Sequence, residues 1–515
     1  MPSRGCGRAR RTCRARSAAP RATGPSRSAW RRRHDAVPPV AALGHPAGDR
    51  VSRHGLLYVL GAALQGLALL VATPFATRAL GTGEYGRVAV ALAVAQTLVS
   101  VLAAGFPQLV LRDWERGAEG RVDARVTVGL MVVGGIGIGV LGTVAVVVLW
   151  SAGVVADPVP ALAVALGSGA LTCIAACQAV LRADRRPLGF IVLATSSTLG
   201  AVLVGIGATW VAPTAGAYLS GYTAVLVLLG GASLVVSRPA WPWRERERTR
   251  RGLPPALALL PHGLAMVVLL SSDTILAGTF QGADGAGTYQ PAIMLGNTVF
   301  TVATALFNAW GPAVYRQPAA VRWRWMGASA VLIAVVLAGG AVCLSVTTPW
   351  LVPLFVGPGF DHTTIETLVR VVVWMGVPYA LYLGCSLVLI ERGRTGTLAT
   401  ITVTTAVGFA GAGALAAAVV GLEGLAVVKV VAHTTLFAVT WVVASRLAPV
   451  PLRGWPGAVV AVVALVSIGT ALSTGPQAGL GVLLAALPVL AVTALAQLRR
   501  VRRAGPADGS VTPAG

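Results

Sequence analysis

Three ionisable residues stand where ionisable residues are costly. Asp273, Arg370 and Lys429 each lie inside an apolar run long enough to cross a membrane, and Lys429 is the chain's only lysine. A charge in hydrocarbon is expensive, so each is a functional candidate by default. At 1.5 Å per residue, each falls roughly 9–11 Å from the same, arginine-poor end of its run. Arginine or lysine there could hold a phosphorylated head group through charge-assisted hydrogen bonds, with Asp273 pairing with one of them and releasing it on protonation. The alternative is that Arg370 and Lys429 snorkel to the interface and Asp273 is a structural partner. His433 lies one turn beyond Lys429 on the same helical face and suits either a proton relay or an interhelical hydrogen bond. Glu366, one turn before Arg370, is its expected ion-pair partner. Gln65, Gln96, Asn297 and Asn308 are neutral amides in further runs; such groups bond sugar hydroxyls or neighbouring helices.

Composition sets the surroundings of these residues. The 515 residues are 55% hydrophobic and 11% charged, with a mean hydropathy of +0.75. Soluble domains carry about 25% charged residues, so a soluble enzyme is excluded. The runs are uniformly apolar and about twice the ~10 residues of an alternating barrel strand, which predicts helices. The net charge of +23 comes almost entirely from arginine. The arginines cluster in alternate short connections, as in 112–125, 182–186, 238–251, 316–324 and 392–394. That alternation is the signature of cytoplasmic loops, not of a nucleic-acid surface, and it places both termini in the cytoplasm. The six cysteines show no metal-ligand spacing, and no nucleotide-binding loop, serine-nucleophile elbow or zinc-protease motif is present.

The expected fold is an all-α polytopic membrane protein with 14 transmembrane helices. Residues 1–53 hold 13 arginines and no apolar run; they are expected to form a disordered basic cytoplasmic tail, or to precede a true start near Val51. A six-helix bundle over 54–237, a basic linker over 238–253 and a second six-helix bundle over 254–446 follow. Two additional helices over 447–503 and a disordered tail over 504–515 complete the chain. The two bundles read as a repeat. Gly83-Glu84-Tyr85, Pro107 and Arg112 recur in order as Gly287-Thr288-Tyr289, Pro312 and Arg316, with the tyrosines 204 residues apart. Six helices separate the two hairpins, so both share one orientation, as in transporters built from parallel halves around a substrate site.

The run LGTGEYG (residues 80–86), Gly-Phe-Pro at 105–107, and the pattern Asp273…Gly287-Thr288-Tyr289 resemble the polysaccharide and O-antigen flippases of the multidrug/oligosaccharidyl-lipid/polysaccharide exporter superfamily. Trp350–Phe360 resembles that family's short re-entry before the tenth span. The resemblance implies a secondary-type transporter rather than an enzyme. Its cargo would be an undecaprenyl-pyrophosphate-linked oligosaccharide, moved across a bacterial plasma membrane by alternating access for cell-surface polysaccharide synthesis. Arg370, Lys429, Asp273, Gln65 and Asn297 are then candidate cavity residues, and Asp273, His433 and Glu366 candidate coupling residues. No metal site or cofactor is expected beyond a coupling cation, H+ or Na+. Expected partners are the lipid-linked oligosaccharide, membrane lipids and polysaccharide assembly proteins, without nucleic acid. Alternatives are a lipid II flippase, a multidrug/cation antiporter, and, disfavoured by an outer loop of only about 16 residues at 350–363, a membrane glycan polymerase or ligase.

Overall fold

The computed structural model describes residues 47–103, 105–450, 452, 454–473 and 479–504, with side chains from Leu70 onward apart from residues 255, 258, 259 and 309. The chain divides into two units, 1–53 and 54–515. All but seven residues of the first, and the tail after residue 504, lie outside the described residues. The architecture below is that of the second unit.

The first half comprises α1 (Ala47–Ala103), α2 (Phe106–Trp114), α3 (Gly117–Ser151), α4 (Val159–Ala183), α5 (Pro187–Thr195), α6 (Ala201–Thr209) and α7 (Ala215–Ser237). A π-helical turn at Ser196–Gly200 joins α5 and α6 into one crossing. The second half comprises α8 (Arg246–Arg316), α9 (Arg322–Phe355), α10 (His362–Val372), α11 (Gly376–Glu391), α12 (Thr395–Val419) and α13 (Leu422–Leu447), followed by α14 (Trp455–Ser473) and α15 (Leu480–Ala504). Twelve described helical stretches are long and apolar enough to span a membrane. Two of them, in α1 and α8, are each a pair of helices meeting at a single non-helical glycine, Gly81 (φ 70°) or Gly282 (φ 72°). A positive φ is strained for any side chain with a Cβ, so glycine lets the helix turn there within one residue. Dividing both at their kinks brings the spans to the expected fourteen.

Packing explains why the spans are apolar all round. On α3, Val140, Leu141, Val144 and Val148 are more than half exposed, and lipid rather than water is their solvent. The inner side of the same helix carries glycine: a Cβ on Gly135 would come within 2.7 Å of the Gly169 carbonyl, so small residues let α3 and α4 approach closely. The stretch His362–Glu391 is the axis of the second half. Of its apolar window 83% is buried, against 50% or less in the other candidate spans. α14 and α15 pack on α9, and α14 also touches α10, both elements of the second half.

One expectation is corrected here. Trp350–Phe360 does not form a separate re-entry or part of a 16-residue loop. Pro349 and Pro353 lie inside α9, which continues to Phe355, and the connection to α10 is only residues 356–361. Prolines read as breakers in sequence, but near the end of a packed membrane helix the freed carbonyls find other donors.

Candidate functional site

A cavity of about 330 Å³ lies between the halves. From the first half it is lined by the two arms of α1 with Leu171, Val202, Tyr218 and Tyr222; from the second by α8. Among the described residues its polar groups are neutral: Thr73, Gln96, Ser271, Thr274, Gln290, Asn297 and the tyrosines 85, 218 and 222, and no charged side chain of that set lines it. Thr274 donates to Gln290 Oε1 at 2.7 Å, and Thr73 contacts Met294 Sδ at 3.2 Å. Tyr218 and Tyr222 stack with centroids 6.1 Å apart. Amides and hydroxyls that both donate and accept, beside aromatic faces, suit a neutral, hydroxyl-rich solute.

The cavity is built on the internal repeat, in a register that the tyrosines misplace. Gly81 and Gly282, the two kinks, are 201 residues apart. A Cβ on Gly86 would fall 1.7 Å from the Ala283 carbonyl oxygen; on Gly287 it would fall 2.0 Å from the Thr82 carbonyl oxygen. Those are the same contact seen from each half, again at an offset of 201. Tyr85 therefore corresponds to Ala286, and Tyr289 to Val88, not to each other. At the corrected offset Thr73 matches Thr274 and Gln96 matches Asn297, and all four line the cavity. Backbone approach fixes register; the Gly-X-Tyr match paired Gly83 with Gly287, whereas Gly83 in fact faces its own counterpart, Asp284.

The charged candidates lie elsewhere. Lys429 Nζ is ion-paired with Asp273 Oδ2 and both side chains are fully buried; it also donates to the Leu270 carbonyl at 3.1 Å. His433 Nδ1 donates to the Lys429 carbonyl at 2.8 Å, and its Nε2 has no partner. Phe300 and Tyr379 enclose the ring edge-on, at 6.3 and 6.1 Å. The Tyr289 hydroxyl lies beside Asp273 without a hydrogen bond of regular geometry, leaving Oδ1 unbonded. The structure thus brings together Asp273, Lys429 and His433, locking α8 to α13. Arg370 is separate. It is fully buried, and none of its three guanidinium nitrogens has a hydrogen-bond partner.

Two expectations are revised. Neither Arg370 nor Lys429 snorkels, since both are 0% exposed. Glu366 is buried near Arg370, but among the described residues no ion pair forms between them, and the Arg370 nitrogens have no hydrogen-bond partner. Of the five candidate cavity residues only Asn297 lines the cavity; Gln65 falls among residues whose side chains lie outside the described set. Gln96 also lines it, whereas Asn308 does not. His262 bonds Thr402 at 2.9 Å, tying α8 to α12. Thr73, Thr274, Gln290, Tyr218 and Tyr222 went unnoticed in the sequence; a search at the 201-residue offset would have found the threonines.

The arginine-poor end is sealed. Arg78 donates to the carbonyls of Pro353 (3.3 Å) and Leu354 (3.0 Å), capping the C-terminus of α9, where free carbonyls and the helix dipole favour a cation. Gly357 N–H donates to Thr77 Oγ1 at 3.2 Å, and Thr82 donates to the Gly359 carbonyl at 3.0 Å. Asp361 caps α10 by accepting from Thr364 N–H and Oγ1. The Thr364 hydroxyl, with the backbone N–H groups, holds the Asp361 carboxyl below its usual range. Its folded value being depressed, the cap's contribution is present at neutral pH and lost as pH falls through that lowered value. Asp361→Ala should cost about 1 kcal/mol, read as a lowered Tm in detergent, and the difference from the parent should close at acid pH. At the arginine-rich end the linker docks on α3: Ala240 N–H bonds the Arg125 carbonyl at 3.0 Å, and Arg248 pairs with Asp123 at 2.6 Å.

Two helical halves in parallel repeat around a central polar cavity form an architecture on which membrane transporters are built. Solved structures share this fold. An inward-facing multidrug resistance MATE family transporter of the MOP superfamily matches with TM-score 0.53 at 18% identity, covering 74% of this chain and 94% of its own. A MATE transporter in complex with MaL6 matches at 0.54 and 15% identity, over 77% and 95%. A MOP superfamily transporter from Pyrococcus furiosus matches at 0.51 and 17%, over 77% and 94%. No curated protein matches the chain in sequence. Residues 51–316 match the family described as polysaccharide biosynthesis protein, which is more than half of the 515 residues; the chain belongs to that family.

Proposed function

We propose that the protein flips a lipid-linked oligosaccharide across a bacterial plasma membrane, with the arginine-rich end and both termini in the cytoplasm. The observation that carries this reading is the cavity lining. Paired hydroxyls and amides at Thr73/Thr274 and Gln96/Asn297, beside Tyr218 and Tyr222, offer a glycan what it would lose on leaving water. A cationic drug would call for an acidic lining, and the described lining carries none. The family supports the same direction. We read the seal at the arginine-poor end as the closed outer gate of an alternating-access cycle. Alternating access follows when Arg78, Thr77 and Thr82 let go of the 353–359 segment.

Asp273, Lys429 and His433 are then a coupling group rather than cargo ligands. The ammonium of Lys429 already occupies the position a free cation would take beside Asp273, which favours a proton over Na+ as the coupling ion. Arg370 and Glu366 are candidates of the same kind, buried within α10. Membrane lipids and polysaccharide assembly proteins remain the proposed partners.

The test is export of a surface glycan in cells carrying Gln96→Leu, Asn297→Leu or both. The double variant should lose at least about ten-fold in export, since two hydrogen-bonding partners withdrawn from the glycan are worth roughly 1–3 kcal/mol together. Its amount in the membrane should match the parent. Unchanged export would overturn the assignment of this cavity to the glycan.

A further inference from the structure

The second large recess is apolar and opens sideways. A groove of about 690 Å³ runs along the second arm of α1, closed by α3, α4 and the end of the first arm of α8. Its α1 wall steps through Arg87, Val90, Ala91, Val94 and Leu98, positions that share one helical face. Arg87 to Leu98 spans eleven residues, about 16 Å, or roughly half of a ~30 Å hydrocarbon core. The groove therefore begins at the arginine-poor interface and ends near mid-membrane. It is deep because small side chains floor it: Gly142 against Ala165, and Gly278, where a Cβ would meet Val90 at 2.5 Å.

Two independent observations say what fits there. The first is charge. Arg87 stands at the interfacial mouth, more than half exposed, and pairs with Glu84 through Nη1 alone. Glu84 is fixed by the Ala215 N–H at 2.6 Å. That arrangement holds the guanidinium in place and leaves Nε and Nη2 unbonded, a fork suited to a phosphate. The second is continuity. A seam of about 10 Å³ lies between the groove and the central cavity. It shares Ala91 and Val164 with the groove and Leu92, Ala95, Leu171 and Tyr222 with the cavity. Only the thin wall of α1 against α4 separates the two spaces.

We propose that this groove holds the hydrocarbon chain of a polyprenyl phosphate, with Arg87 on its phosphate, and that the α1–α4 seam is the lateral slot through which the chain stays in the bilayer while the head group occupies the cavity. The inference rests on the lipid-linked reading above. The groove's position on the first half gives the lipid a route independent of α14 and α15, which cover the second half.

The test uses the full-length protein in phosphatidylcholine vesicles with a polyprenyl phosphate carrying a diazirine near the tail end. Photolysis and peptide mapping should place adducts around Val94 to Leu98 and Ile138. Ala145→Trp, which fills the groove from its lipid side, should cut those adducts at least ten-fold. Arg87→Gln should cut them with the phosphate probe and leave labelling by the matching polyprenol unchanged. Adducts confined to other helices, adducts untouched by Ala145→Trp, or full displacement by excess phosphatidylglycerol would overturn the proposal. The photolabelling reads the groove whether or not a glycan is carried, so its failure is distinguishable from failure of the export test.

Discussion

Lys429→Ala is expected to destabilise the protein by about 3–5 kcal/mol, the usual consequence of stripping one partner from a fully buried ion pair. Asp273 would keep its burial and lose its counter-charge, with Oδ1 already unbonded. The substitution should lower Tm sharply in detergent and reduce the amount of protein in the membrane. A compensating change separates folding from transport. Asp273→Leu with Lys429→Leu removes both charges from an apolar site, and such replacements are often neutral or stabilising. The double variant should therefore regain Tm and still fail to export glycan, because the coupling charges are gone. Parental stability in Lys429→Ala would show that the pair does not hold α8 to α13. Full export by the double-leucine variant would show that the pair is structural only.

Gly86→Ala and Gly287→Ala are expected to stop the arginine-poor end from closing. Each Cβ would meet a backbone carbonyl oxygen, at 1.7 and 2.0 Å respectively, and a backbone atom has no rotamer by which to withdraw. The two halves must separate locally, and overpacking of this kind costs about 1–3 kcal/mol, enough to shift the closed population roughly ten-fold or more. An Asn297→Cys reporter in the cavity should then react faster with an impermeant maleimide added from that side, and export should fall in parallel. Gly207→Ala is the control, because a Cβ there meets nothing within 4 Å. Equal labelling in Gly86→Ala and Gly207→Ala would remove Gly86 from the seal.

These two sites mark where legibility ended. Asp273 and Lys429 stood out in the sequence because hydrocarbon penalises charge so heavily that an isolated one is conspicuous. Their mutual pairing was among the expectations, but their place was not: they were read as cavity residues and are instead enclosed between α8 and α13. Arg78 is an arginine at the arginine-poor end, and its contact with the last carbonyls of α9 explains its place there. The repeat was visible through recurring glycine, proline and arginine, yet aligned three residues out of register. Glycine-rich turns match at several offsets, and the true one is set by which carbonyl each glycine approaches.

The sequence alone determined the approximate number of crossings, their helical nature and the clustering of arginine in alternate connections. Each of these follows from the cost of unsatisfied backbone groups and charges in lipid, a cost paid residue by residue and hence written locally. Which face of each helix looks inward was decided only in three dimensions. Lipid is as apolar as a protein interior, so a membrane helix carries no hydrophobic stripe to betray its buried side. The neutral cavity of Thr73, Gln96, Thr274 and Asn297, the enclosure of Asp273 with Lys429, and the groove beneath Arg87 all depend on that choice of face. They exist because small residues allow particular helices to touch, and contacts between residues some 200 positions apart leave no mark on either neighbourhood.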